Sequence, residues 1–175
     1  ILNGILAEEG QKGTSDVNEA QTSCLSLAEL FTEQARLLGA ARQFGIVFYR
    51  KDLYGEVLCN KNQLLRAFQN ILSNAMDYSP KDGEIEVLLE MKAEGGKEYF
   101  TVTVEDQGTG FSAQDIRHAT ERFYQGDQSR SSKLHHGIGL HTAKRFVEAQ
   151  GGELVIGNAG THGGRVTMLI LSLPC

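Results

Sequence analysis

The chain has 175 residues, of which 41% are hydrophobic and 22% are charged, and its formal net charge is -5 at pH 7. This composition is typical of one globular domain and does not favour disorder or a fibrous repeat. The net negative charge argues against a broad nucleic-acid surface, which requires clustered lysine and arginine.

The first 23 residues differ in pattern from the rest of the chain. Residues 1–10 resemble the end of a helix, and the polar stretch after them has the composition of a linker. We therefore predict a helix remnant and linker over residues 1–23 and a single domain over residues 24–175. The chain opens on isoleucine without an initiator Met, which predicts that it is a fragment of a longer protein.

The domain is predicted to alternate between helices and strands. An S-x-x-E capping box at Ser26 starts a first helix that continues to about residue 43. Short strands are predicted at 45–50 and 55–59. Apolar residues at three-and-four spacing over 64–75 then predict a second helix.

The second half begins with two strictly alternating segments, and Gly95 and Gly96 between them predict an antiparallel hairpin. A polar connection over 105–137 follows, with one weak helical patch at 113–118, and a connection of this length is usually functional or mobile. The last predicted elements are a third helix over about 139–150 and strands near 153–157 and 164–173.

Four groups of residues carry candidate chemistry, and the first lies on the second helix. Asn70, Asn74 and Tyr78 recur every four residues, so they form a row beside the apolar stripe. Asparagine is tolerated on any exposed helix face, although it lowers helix propensity. The row is therefore either an ordinary polar face or an edge that faces a ligand.

The second group follows the hairpin. Asp106 is in phase with the apolar residues of its strand, so its carboxylate should point toward the core, where it needs a partner. It is followed by Gly108 and Gly110. The D-x-G-x-G run is either turn chemistry after a strand or a charged acceptor that selects the exocyclic amine of adenine.

The other two groups belong to the polar connection and the helix after it. Gly137 and Gly139 open the third helix, where backbone N–H groups and the helix dipole suit a phosphate, although a G-x-G alone is common by chance. Arg122, Phe123 and Arg130 lie in "ERFYQGDQSR", which is otherwise simply a basic loop with aromatic residues.

Taken in order, four segments resemble the boxes of a known family. "NQLLRAFQNILSNAMDYSP", "DQGTG", "ERFYQGD" and "HHGIGLHTAKRFVEAQGGEL" resemble the N, G1, F and G2 boxes of the histidine-kinase catalytic domain, within the GHKL (Bergerat) ATPase superfamily. The resemblance covers about residues 26–174. It implies a two-layer α/β sandwich with three main helices on one face of a mixed, mostly antiparallel sheet, and a flexible ATP lid over about 107–136.

The resemblance also implies a role for each candidate residue. Asn74 and Asn70 would ligate Mg²⁺ at the phosphates of ATP, Tyr78 would lie against adenine, and Asp106 would accept from its N6 amine. The catalytic set would comprise Asn70, Arg122 and Arg130, with the arginines reaching the phosphates. The further nucleotide contacts implied are Gly108, Gly110, Phe123, Gly137, Ile138, Gly139, Leu140 and Thr167.

The implied function is transfer of the γ-phosphoryl group of Mg-ATP to a histidine on a separate helical-hairpin dimerisation domain, with a response regulator downstream. No histidine in this chain has the family's H-[ED]-x-x-T-P context, so the acceptor must lie elsewhere. Asn70 stands where hydrolysing members have a glutamate base, which favours a kinase over an ATPase.

Several departures from the family pattern keep other functions open. Asp77 and Gln125 replace positively charged residues, and His135 replaces a glycine. A nucleotide-binding pseudokinase and a hydrolysing GHKL ATPase therefore remain as alternatives.

The cellular setting is predicted from the cysteines and the apolar runs. The three cysteines have no paired or metal-ligand spacing, which fits a reducing cytoplasm. The apolar runs are much shorter than the roughly 20 residues of a spanning helix, so we expect no membrane contact by this fragment. We expect a cytoplasmic domain, whose parent protein could be anchored in a membrane.

Overall fold

The computed structural model describes residues 19–121, 139–160 and 163–174. The helices are α1 (Cys24–Arg42), α2 (Lys61–Tyr78), α3 (Ala113–His118) and α4 (Gly139–Glu148). The strands are β1 (Glu19–Ser23), β2 (Gly45–Lys51), β3 (Glu56–Asn60), β4 (Glu84–Glu94), β5 (Lys97–Glu105), β6 (Glu153–Asn158) and β7 (Gly164–Leu171).

Five strands form the main sheet, in the order β2-β4-β5-β7-β6. The β2–β4 pair is parallel, and the other neighbouring pairs are antiparallel. The β4–β5 hairpin turns at Gly95 and Gly96, whose positive φ angles suit glycine. The predicted mixed, mostly antiparallel sheet is confirmed.

The three long helices cover one face of this sheet, and α2 lies between α1 and α4. Alternate residues of each strand face the helices, as Phe100, Val102 and Val104 of β5 do. Phe31 of α1 lies 4.8 Å from Phe68 of α2 and 6.2 Å from Phe100, measured between ring centroids. These rings join both layers, so the predicted two-layer α/β sandwich is confirmed.

The start of the folded unit corrects two predictions. Residues 19–23, predicted as linker, form β1 and pair with β3 in a separate two-stranded sheet. The N-cap of α1 is Ser23, whose Oγ accepts from the backbone N of Ser26 at 3.0 Å, so the capping box predicted at Ser26 is wrong. Residues 19–23 contain four polar residues and one alanine, so they show no alternation of apolar residues from which a strand could be predicted.

The second helix agrees with its prediction and is fixed at its start. Its N-cap is Asn60, whose side chain accepts from the backbone N of Gln63 at 3.1 Å. The backbone N of Asn60 donates to Oε1 of Gln150 at 2.8 Å, which ties the start of α2 to the residues just after α4. Within the described ranges, no helix is both long and apolar enough to cross a membrane.

Candidate functional site

The row on α2 lies beside the start of α4. Asn70, Asn74 and Tyr78 are all partly buried, in contrast to the fully buried residues of the neighbouring apolar stripe. A Cβ built on Gly139 would lie 3.8 Å from both the Cβ and the carbonyl oxygen of Asn70. The helix edge that bears the amides therefore adjoins the first residue of α4.

Asp106 lies directly after β5 and is only 7% exposed, which confirms its predicted burial. Its Oδ1 accepts from the backbone N–H groups of Gly108 at 2.9 Å and Gly164 at 3.0 Å. Its own backbone N donates to the carbonyl of Gly164 at 3.0 Å. The buried carboxylate thus joins the end of β5 to the start of β7.

Glycine is required at two positions around this carboxylate because the backbones are too close for a side chain. A Cβ on Gly108 would lie 2.1 Å from the carbonyl oxygen of Tyr78, and a Cβ on Gly163 would lie 1.8 Å from that of Asp106. Gly108 therefore lets the chain after Asp106 pass against the last residue of α2. The end of α2 that bears Tyr78 therefore lies close to the buried carboxylate of Asp106.

Asn158, at the end of β6, holds the same loop from the other side. Its side-chain oxygen accepts from the backbone N of Phe111 at 2.6 Å, and its amide nitrogen donates to the carbonyl of Phe111 at 2.9 Å. Gly110 has a φ of +80°, and a Cβ there would lie 2.8 Å from Oδ1 of Asn158. Asn158 is not predicted from the sequence, because an asparagine at a strand end carries no distinguishing pattern.

The sheet register separates Thr167 from Asp106. Thr167 pairs with Thr103, and their hydroxyl oxygens are 3.1 Å apart. Thr103 alternates with Val102 and Val104, so both threonines lie on the sheet face opposite the helices, whereas Asp106 is in phase with Val104. The residue of β7 that reaches Asp106 is Gly164.

Asp77 lies on α2 between Asn74 and the helix end, and it is paired. Its Oδ1 is 2.8 Å from Nη2 of Arg42, the last residue of α1, and only 13% of the Asp77 side chain is exposed. Sequence reasoning identified Asp77 as a missing positive charge. It did not identify the arginine that neutralises it, because the two residues are 35 positions apart.

An open groove of about 620 Å³ borders Asp106 and lies at the start of β4 and the end of β5. Glu84, Glu86 and Glu105 line it, together with residues of the β6–β7 connection such as Gly160. Three carboxylates would repel a triphosphate, so this groove does not suit the phosphate end of a nucleotide.

Part of the predicted site lies outside the described residues. Of the predicted lid over 107–136, the structure describes the turn after β5 and α3, up to residue 121. Leu140 is 7% exposed and belongs to the hydrophobic core, against which α4 packs. The predicted site residues outside the described ranges are Arg122, Phe123, Arg130, Gly137 and Ile138, as are Gln125 and His135 among the departures.

The two described cysteines lie away from this site. Burial, more than the nearby Cys59 and Glu56, raises the pKa of the Cys24 thiol to about 11. Burial likewise raises the pKa of Cys59. Both thiols are therefore protonated and poorly nucleophilic at neutral pH. Within the described ranges, no group of three or more His, Cys, Asp or Glu residues could hold a metal ion.

Comparison with known proteins identifies the family of this chain. Residues 59–174 match the family model described as histidine kinase-, DNA gyrase B-, and HSP90-like ATPase. Sensor histidine kinase SpaK of Bacillus subtilis is 38% identical over 144 residues, covering 82% of this chain and 30% of SpaK. Sensor histidine kinase WalK of Bacillus subtilis (strain 168) is 33% identical over 125 residues, covering 71% of this chain and 19% of WalK. The chain thus spans less than a third of either relative.

Solved structures share the fold. The mycobacterial sensor histidine kinase MprB superimposes with a TM-score of 0.69 at 23% identity, covering 90% of this chain and 99% of that one. A nucleotide-free form of the catalytic domain of histidine kinase ThkA superimposes with a TM-score of 0.70 at 14% identity, covering 88% and 95% respectively. At these identities the likeness shows the fold alone.

Proposed function

Because the chain belongs to the histidine kinase-, DNA gyrase B-, and HSP90-like ATPase family, we propose that it is the ATP-binding catalytic domain of a sensor histidine kinase. In this proposal it binds Mg-ATP and transfers the γ-phosphoryl group to a histidine on a separate dimerisation domain. A response regulator would then receive the phosphoryl group. The folded unit includes β1, which extends the predicted domain of 24–175 back to residue 19.

The observation that carries the proposal is that two distant segments, the start of α4 and the loop after β5, both adjoin α2. Asn70 adjoins Gly139 at the start of α4, and the carbonyl of Tyr78 adjoins Gly108. Gly108 in turn donates to Asp106. An adenine that contacts Asp106 and Tyr78 would place its phosphates along α2 toward Asn74, Asn70 and the N-terminus of α4, where the helix dipole favours negative charge.

The base-binding end is built around the Asp106 carboxylate. Its Oδ1 accepts two hydrogen bonds, from the backbone N–H groups of Gly108 and Gly164. These bonds fix its orientation. A fixed, mostly buried acceptor can bind a purine that carries an amine, which donates a hydrogen bond, and disfavours one that carries a carbonyl, which cannot. This difference is the basis for selecting adenine.

The phosphate end suits a magnesium ion held by amides. Asn74 and Asn70 offer neutral amide oxygens, which are hard ligands for Mg²⁺, and the phosphates and water would complete its coordination. When bound, the ion would neutralise charge on the transferring phosphoryl group. The chain's own residues would orient the nucleotide along α2.

The choice between phosphotransfer and hydrolysis rests on Asn70. An amide cannot remove a proton from water, so a water molecule beside it stays a poor nucleophile. ATP bound here would be protected until an acceptor imidazole docks in line with the γ-phosphorus. Asp77, a carboxylate on the same helix edge, is the observation that favours the second candidate, a pseudokinase that binds ATP without transfer.

The deciding experiment joins the chain to its native upstream helices and follows labelled phosphate from ATP. We expect acid-labile, base-stable label on the upstream segment, and Asn74→Ala should abolish it. Asn62→Ala, on an exposed position of the same helix, is the matched control and should behave as the unmodified protein.

Each other outcome selects a different function. Free phosphate without labelled protein would indicate an ATPase. Nucleotide binding without label or free phosphate would indicate the pseudokinase. If calorimetry detects no binding of a non-hydrolysable ATP analogue with or without Mg²⁺, the proposal fails as a whole.

A further inference from the structure

Asp77 is placed where a negative charge would oppose the proposed ligand. It lies three residues after Asn74 and seven after Asn70, so the helical repeat puts all three on one side of α2. This is the side along which the triphosphate would lie. A bare carboxylate there would repel the phosphates, and the partial burial of Asp77 would reduce the screening of that repulsion by solvent.

Arg42, which lies on a different helix, neutralises the charge of Asp77. It ends α1, and its Nη2 lies 2.8 Å from Oδ1 of Asp77, within both ion-pair and hydrogen-bond distance. The arginine side chain is 32% exposed, so the pair is neither fully solvated nor fully buried. Among the described residues, Asp77 is the one acidic partner of Arg42.

We propose that Arg42 determines the affinity of the site for the triphosphate by neutralising Asp77 at the phosphate edge. The inference rests on the proposed function, since it assigns the electrostatics of the same site. Arg42 acts through Asp77, so it is a positioning residue. Its effect should scale with the charge of the ligand, whereas a purely structural tie between α1 and α2 would affect all ligands alike.

The test measures binding of a non-hydrolysable ATP analogue with Mg²⁺, and of adenosine, by calorimetry. Arg42→Ala unmasks the carboxylate, so affinity for the triphosphate should fall by about tenfold while adenosine affinity stays within about twofold. Arg42→Lys keeps the charge and should retain most of the affinity. Arg36→Ala, on the same helix in an exposed ion pair with Glu33, is the matched control and should change neither ligand.

A double variant separates charge from structure. Arg42→Ala with Asp77→Asn removes both charges, so triphosphate affinity should return close to that of the unmodified protein. A double variant as weak as Arg42→Ala would overturn the proposal, as would an unchanged ratio of triphosphate to adenosine affinity in Arg42→Ala. Thermal denaturation of each variant identifies any that fails to fold. If the unmodified protein binds neither ligand, it is the proposed function that fails.

Discussion

Replacing Asp106 with asparagine should change which purine the site prefers while leaving the fold intact. The buried carboxylate accepts from the backbone of Gly108 at 2.9 Å and Gly164 at 3.0 Å through one oxygen. An asparagine oxygen can take the same two bonds. Its amide nitrogen then occupies the position of the other carboxylate oxygen, so an acceptor becomes a donor toward the base.

The expected size of each effect follows from the hydrogen bonds. Losing a bond from the adenine amine to a charged acceptor costs about 1.5–3 kcal/mol, or roughly 10- to 150-fold in ATP affinity. Inosine triphosphate has a carbonyl in place of that amine, so the new donor should raise its relative affinity. Two charge-assisted backbone bonds become neutral ones, which should lower the free energy of unfolding by about 2 kcal/mol. Asp106→Ala should cost more stability, since it leaves two buried N–H groups without this acceptor.

The assay is calorimetry of ATP and inosine triphosphate with Mg²⁺, together with urea denaturation. Asn74→Ala is the comparison, because it should weaken both nucleotides through the metal and leave their ratio unchanged. An equal ratio change in Asp106→Asn and Asn74→Ala would refute the assignment of Asp106 to the base. Complete unfolding of Asp106→Asn would refute the claim that the amide oxygen can replace the carboxylate.

Three further predictions concern the framework of the site. Gly108→Ala places a Cβ 2.1 Å from a backbone carbonyl of α2 and should lower the free energy of unfolding by about 1–3 kcal/mol in urea denaturation, whereas Gly157→Ala, with nothing within 4 Å, should be nearly neutral. Similar values for both would contradict the contact. Asn158→Ala removes both amide bonds to Phe111 and should cost about 2 kcal/mol by the same measurement; an unchanged midpoint would show that they do not stabilise the loop. Burial raises the pKa of Cys24 from 9.0 to about 11, so the unfolded chain releases the thiol proton at a lower pH than the folded protein does. The free energy of unfolding should therefore fall as the pH rises from 9.0 to about 11. Thermal midpoints of Cys24→Ala should decline less steeply over the same range, and parallel curves would exclude this contribution.

Local pattern in the sequence was sufficient to identify most elements. Helical spacing predicted α2 and the row of Asn70, Asn74 and Tyr78, and strict alternation predicted the β4–β5 hairpin. Alternation also predicted that Asp106 points inward, because a residue in phase with a buried strand shares its face. The order of the four boxes then indicated the family and hence the fold.

The tertiary structure alone decided the contacts between distant segments. Thr167 faces away from the helices because it pairs with Thr103 in the register of β5 and β7. The sequence of a strand does not by itself determine this register or the neighbouring strand. Asn158 reaches a loop 47 residues away, and Arg42 neutralises an aspartate 35 residues away. The sequence thus determined which residues share a face of a helix or strand, because that depends only on backbone periodicity. Which residues of other elements they contact was determined by how the elements pack in the tertiary structure.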